Sequence, residues 1–247
     1  MHIDPTLLVF GVVVASAYAV QTTIGMGATL LCVIIGAHLF PLHEVLALTV
    51  PLSVLQTSYI TLRHHDGIDW RLLLGRILPL MGTGVVLGLW LGTDIDRPWL
   101  QTAFAVLVLT LALLELRVRL RAGGGSSKPL PSLVAHIAMF AAGIVHGLFA
   151  TGGPLLVYAI GRRGLDKHVF RSTLAAVWLV MNVFLCAGYA HIGRIDHSTL
   201  TSSALVFPAV PIGVLVGERL HHKVDERRFQ IAVFVVLAIG AITLLLR

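Results

Sequence analysis

Apolar residues in this chain fall into blocks divided by short polar stretches. Six blocks, at about 43–62, 72–92, 98–116, 168–190, 199–217 and 229–246, are long enough to cross the hydrocarbon layer, which is about 30 Å thick and takes about 20 helical residues. Four others, at about 7–20, 28–37, 133–146 and 153–161, are too short, and they come in two pairs. Gln21-Thr22-Thr23-Ile24-Gly25-Met26-Gly27 separates the first pair, and Gly147-Leu148-Phe149-Ala150-Thr151-Gly152 separates the second. Backbone of that kind is tolerated at membrane depth only where protein or a water-filled cavity satisfies its polar groups.

The stretch 119–131 is polar and rich in Gly, Ser and Pro, and it lies near the midpoint of the chain. It reads as a linker and invites a search for a repeat. Gln21–Leu31 aligns with His146–Leu156 at an offset of 125, pairing Gly27 with Gly152 and the two Leu-Leu steps. Further on, Gly84, Gly88, Asp96 and Gln101 align with Gly213, Gly217, Asp225 and Gln230 at an offset of 129. The order and spacing of these matches point to a duplicated half, a common plan in transporter folds.

Lys and Arg positions set the expected topology. If each short pair formed one broken span, the 18 basic residues would divide equally between the two sides. If each pair enters and returns to its own side, only Arg97, Arg194 and Arg247 fall on the poor side. The positive-inside rule favours the second arrangement. Each half then holds five apolar segments, so the halves have opposite orientation, with both termini periplasmic and the linker cytoplasmic. The expected fold is an all-α polytopic membrane protein of two inverted repeats, 1–118 and 132–247, joined by the cytoplasmic linker 119–131. Each repeat is a broken, re-entrant short helix pair plus three full transmembrane helices, ten apolar segments in all.

Composition agrees. Of 247 residues, 57% are hydrophobic and 12% charged, and mean hydropathy is +0.90, whereas a soluble domain carries about 25% charge. A disordered chain is excluded and the bilayer is the expected solvent. The net charge of +6 would suggest nucleic acid in a soluble protein. Here the cations sit in short loops between apolar runs, so no nucleic-acid partner is expected. Cys32 and Cys186 lie inside apolar stretches and give no disulfide framework or metal spacing, so no metal or cofactor is expected. Met1-His2-Ile3-Asp4-Pro5 has no basic n-region, so no cleaved signal peptide is expected.

The candidate chemistry lies at the two breaks. In an inverted repeat the breaks enter from opposite faces and meet near the bilayer centre, where transported substrates usually bind. Segments 28–37 and 153–161 would each begin there, presenting backbone N–H groups and the positive end of the helix dipole to an anion. Gly25, Gly27, Gly152 and Gly153 allow close approach to the backbone, and Pro154 sits where a missing N–H costs nothing. Gln21, Thr22, Thr23, Thr29 and Thr151 could hydrogen-bond an oxyanion without adding charge. The alternative is that these small residues only pack helices closely. His146 beside the second break could bind the anion, relay a proton, or simply bond a carbonyl. Gln56-Thr57 and Met181-Asn182 align midway along long spans and either line the path or tie helices together. Arg171 either draws anions to the inner mouth or snorkels to headgroups. Trp70 and Trp99 read as interfacial anchors, while Trp178 lies deeper and reads as packing. The His64-His65 and His221-His222 pairs lack the neighbours of a metal site. No carboxylate sits in the middle of a span, which disfavours a cation pathway.

At the two breaks the chain resembles the TauE/SafE family, also called the 4-toluene sulfonate uptake permease family. Gln21-Thr-Thr-Ile-Gly-Met-Gly-Ala-Thr-Leu-Leu31 is similar to its first glycine motif, with Met26 and Ala28 as departures from the glycine-richer form. Gly143-Ile-Val-His-Gly-Leu-Phe-Ala-Thr-Gly-Gly-Pro-Leu-Leu-Val-Tyr158, followed by Phe170-Arg171, is similar to the second. The resemblance spans essentially the whole chain. It implies a bacterial inner-membrane permease for sulfite, sulfoacetate or other organosulfonates, in a family with many exporters. By motif position it places Gln21, Gly25, Gly27, Thr151, Gly152, Gly153 and Pro154 at the substrate. The implied partners are a small anionic substrate and the lipid bilayer, with a homo-oligomer left open. An anion channel or other small-anion permease is the alternative. A membrane-embedded enzyme would need a nucleophile and base for which His146 and Thr151 are the only near candidates, so no enzymatic activity is expected.

Overall fold

The structure, a computed structural model, describes residues 5–24, 27–93, 97–120, 130–161, 163–221 and 225–246. Gly25, most of the linker, Arg162, Lys223 and Arg247 lie outside the described residues. All regular structure among the described residues is helical. The first half of the chain forms α1 (Pro5–Ile24), α2 (Ala28–Gly36), α3 (Leu42–Arg63), a 3-10 turn (His65–Gly67), α4 (Trp70–Leu91) and α5 (Pro98–Leu120). The second forms α6 (Ser132–Phe149), α7 (Gly153–Ile160), α8 (Lys167–His191), α9 (His197–Val206), α10 (Ala209–His221) and α11 (Glu226–Leu245). With α9 and α10 counted as one kinked span, these are the ten expected apolar segments.

Eight of the ten are long and apolar enough to cross a membrane. That corrects the expected lengths of the first member of each pair. The segments read as 7–20 and 133–146 belong to helices of 20 and 18 residues. Helix α1 runs on through its polar end because Thr22 and Thr23 send their hydroxyls back to the carbonyls of Tyr18 and Ala19, both at 2.8 Å. The polar side chains are thereby satisfied inside the helix they were expected to end. Only α2 and α7 are short. Val12, Leu74, Trp90, Leu113, Ile137 and Ile239 are each more than half exposed, as helices bathed in lipid require.

The fourth segment of each half is disrupted beside a proline. In α4, a π-helical turn over Leu73–Ile77 ends two residues before Pro79, whose missing N–H leaves the Gly75 carbonyl without its usual partner. In the second half the chain turns at Phe207-Pro208 between α9 and α10. Pro79, Gly84 and Gly88 stand at the same spacing as Pro208, Gly213 and Gly217.

The chain forms two compact units, each drawing on both halves. One comprises 1–49, 95–124 and 197–247. In it α1 and α2 make a hairpin: a Cβ on Gly36, at the end of α2, would meet Phe10 Cε2 near the start of α1 at 2.8 Å. The Phe10 and Phe40 rings lie edge to face, 5.7 Å apart. Helix α10 lies along α1, with Gly213 against the Ala15 carbonyl and Tyr18 Cβ, and Gly217 against the Ala19 carbonyl and Thr22 Cβ. Thr23 Oγ1 also donates to the Gly217 carbonyl at 3.2 Å. Helices α5 and α11 pack together, and His38 ties the end of α2 to Thr243 of α11 at 3.0 Å.

The other unit comprises 50–94 and 125–196. Here α4 lies along α6, with Gly84 against the Phe140 carbonyl and Gly143, and Gly88 against the Ile144 carbonyl and Gly147. Without Cβ atoms the backbones come into direct contact, the usual way helices associate where lipid supplies no hydrophobic drive. The carbonyl contacts of Gly213 and Gly217 fall 125 residues before those of Gly84 and Gly88, so each unit has the same seam in the same register. Asp69 caps α4 by accepting from Leu72 N–H at 2.9 Å, and its own N–H donates to Thr173 of α8 at 2.9 Å. At the far end of α4, Arg194 donates to the carbonyls of Gly92 and Thr93, a cation on the negative end of the helix. Its guanidinium lies 5.4 Å from the centre of the Tyr189 ring.

Candidate functional site

The second break is a tight reversal. Helix α6 ends with Ala150 in the left-handed region at φ 54°, its N–H donating to the His146 carbonyl at 2.7 Å. A non-glycine residue there is uncommon. Two residues later Gly152 is folded back on α6, where a Cβ would collide with the Ala142 carbonyl and lie 2.9 Å from His146 Cβ. Its N–H points to His146 Nδ1 at 3.5 Å. A ring nitrogen that accepts from an amide carries no proton, so a neutral imidazole here holds its proton on Nε2.

Helix α7 then begins at Gly153, with Pro154 second. The first intrahelical bond is from Leu156 N–H to the Gly152 carbonyl at 3.2 Å. Pro154 has no N–H, so the amides of Gly153 and Leu155 are left at the helix start without partners inside the helix. Thr151 Oγ1 and His146 Nε2, on residues 5% and 1% exposed, are both buried without a hydrogen-bond partner. Buried polar groups are normally paired, and these two unpartnered atoms belong to residues next to the start of α7.

Helix α8 supplies the facing wall. The Trp178 ring centre lies 5.5 Å from that of His146, and a Cβ on Gly153 would lie 3.7 Å from Trp178 Cζ2. Asn182 is one turn further along the same face of α8. It is buried, and its Oδ1 is also unpartnered. His146, Thr151, Gly152, Gly153 and Pro154 are thus brought together with Trp178, which sequence reading set aside as packing. Its four-residue spacing from Asn182 is the signal that places both on one face. Gln56 is buried on α3. Arg171 is exposed near the start of α8, about 16 Å along the helix from Asn182.

The first break is more self-contained. Gly27 caps α2 at φ 104°, a conformation that requires glycine. The first amide of α2, on Ala28, donates to the Gln21 side-chain carbonyl at 3.1 Å. Gln21 therefore reaches the helix start as an acceptor occupying one of its N–H groups. Thr22 and Thr23 spend their hydroxyl protons on backbone carbonyls.

Among the described residues no group of three or more His, Cys, Asp or Glu is placed to hold a metal. His64 and His168 rings lie edge to face at 5.8 Å, and His168 is 3.7 Å from Asp66 across largely exposed side chains. Arg163 has its pKa lowered by partial burial and by the neighbouring Arg76, against a smaller opposing pull from Asp69. A cavity of about 530 Å³ is lined by residues including Phe40, Pro98, Gln101, Thr102 and Leu244, none of them a sequence-predicted site residue.

The sequence profile of one family, described as Sulfite exporter TauE/SafE, matches residues 8–244. Among curated proteins the chain is similar to one named "Probable inner membrane transporter protein TsaS" from Comamonas testosteroni. The two are 28% identical over 205 residues, covering 81% of this chain and 80% of that protein. No solved structure matches the chain.

Proposed function

The chain belongs to the sulfite exporter TauE/SafE family, and from that premise we propose that it exports a small sulfur-containing anion, such as sulfite, sulfoacetate or another organosulfonate, by alternating access across the bacterial inner membrane. The observation that carries this reading is the start of α7. Thr151 Oγ1 and His146 Nε2 are donors buried without acceptors, beside helix amides that carry positive partial charge. No carboxylate lies on α6 or α7 to repel an anion. A bound sulfonate supplies acceptors for all of these groups at once.

The name of the similar Comamonas protein supports the inner membrane. Two features support the inverted-repeat reading. The α1–α2 hairpin returns to the level of Phe10, as a re-entrant pair does, and the glycine seams of the two units share one register. Periplasmic termini and a cytoplasmic linker rest on the Lys and Arg distribution. With the interior negative, anion exit gains about 2.3 kcal/mol per charge at 100 mV.

Calorimetric titration of ethanesulfonate into the purified full chain tests the site. The wild type binds, and Thr151→Val, which keeps the shape and removes the donor, weakens binding by about tenfold. Equal affinity in both removes the assignment. Thr151→Val is a cleaner variant than a large residue at Gly152, where any Cβ strikes the α6 backbone.

A further inference from the structure

Adjacent glycines at the start of α7 have different surroundings. A Cβ on Gly152 would run into the Ala142 carbonyl, whereas one on Gly153 would meet only the Trp178 edge, at 3.7 Å from Cζ2 and 4.0 Å from Cη2. Those are ordinary contact distances, so glycine at 153 leaves unfilled a space that a methyl group would occupy. Both Gly153 and Trp178 are half-buried, so the space is not sealed. It lies between Gly153 at the start of α7 and the edge of the Trp178 indole.

We propose that this gap holds the organic group of the substrate, and that Trp178 sets selectivity for an alkylsulfonate over an inorganic sulfur oxyanion. The inference rests on the reading of α7 as the anion site. A sulfonate has three oxygens on one side of sulfur and its carbon on the other. With the oxygens on the α7 amides, Thr151 and His146, the carbon points away from the hydrogen-bonding groups. The indole edge is a large apolar surface in contact range of Gly153, and covering it removes apolar area from water. Sulfite has no carbon and leaves the indole uncovered.

Titration of the purified full chain with methanesulfonate, ethanesulfonate, propanesulfonate and sulfite tests this, because the three sulfonates share one charge and differ only in chain length. The wild type gains about fourfold in affinity per added methylene. Trp178→Ala abolishes that gain, so the three sulfonates bind alike, and Trp178→Phe keeps most of it. Gly153→Ala, which fits the backbone, weakens ethanesulfonate more than sulfite. A wild type that binds the three sulfonates equally, or a Trp178→Ala variant that keeps the chain-length gain, overturns the inference while leaving the anion site standing. A wild type that binds no anion overturns both.

Discussion

The Gly152 amide faces His146 Nδ1 at 3.5 Å, which turns the other ring nitrogen toward the rest of the site. With Nδ1 turned to that amide, Nε2 is the ring nitrogen left to meet a ligand, and it is buried without a partner. His146→Gln keeps a donor and is expected to retain anion binding within a few-fold. His146→Phe leaves the anion one hydrogen bond short and is expected to weaken ethanesulfonate binding by about tenfold to a hundredfold. Titration calorimetry of the two variants separates a ligand from a packing residue, because packing alone would favour Phe over Gln.

The reversal at the second break has its own signature in stability. Gly152→Ala forces a Cβ onto the Ala142 carbonyl, which is backbone and cannot swing aside. A loss of about 1–3 kcal/mol is expected, read as a fall in Tm of the detergent-solubilised protein. Gly153→Ala is expected to lower Tm much less, since its Cβ meets only an indole edge at van der Waals distance.

The two glycine seams should respond as a matched pair. Gly88→Leu drives a side chain into the Ile144 carbonyl and Gly147, and Gly217→Leu does the same at the Ala19 carbonyl and Thr22. Each is expected to cost more than about 2 kcal/mol and to reduce folded yield to a similar degree. Size-exclusion profiles of the two variants check this, and tolerance of Leu at one site but not the other would remove the correspondence of the seams.

Orientation is open to labelling. In a background with Cys32 and Cys186 replaced, Ser126→Cys is expected to react with an impermeant maleimide only after the inner membrane is opened. Reaction in intact spheroplasts would reverse the assigned sidedness.

Much of the fold is legible in the sequence because a bilayer demands long apolar blocks and leaves them conspicuous. The helix ends are less legible. Thr22 and Thr23 read as loop or ligand groups, yet a threonine hydroxyl can bond the carbonyl four residues back, and these two do so. That extends α1 and uses the hydrogens that an anion was expected to receive. The glycines at 152 and 153 are indistinguishable in sequence. Only the path of α6 shows that one is required by the turn and that the other leaves space. Trp178 reads as packing because its contacts with His146 and Gly153 depend on the register between α7 and α8, which no local pattern records. Gln21 is legible as a polar group near the first break, but its use as an acceptor for Ala28 depends on how the chain turns there.

The most direct measurement is counterflow of radiolabelled sulfoacetate in liposomes containing only this protein. An alternating-access anion carrier gives saturable uptake that is accelerated when unlabelled sulfoacetate is loaded inside, and Thr151→Val reduces it. Flux that rises linearly with concentration, is indifferent to internal substrate and passes as current would contradict a carrier, and no flux of any sulfur oxyanion would contradict the function itself.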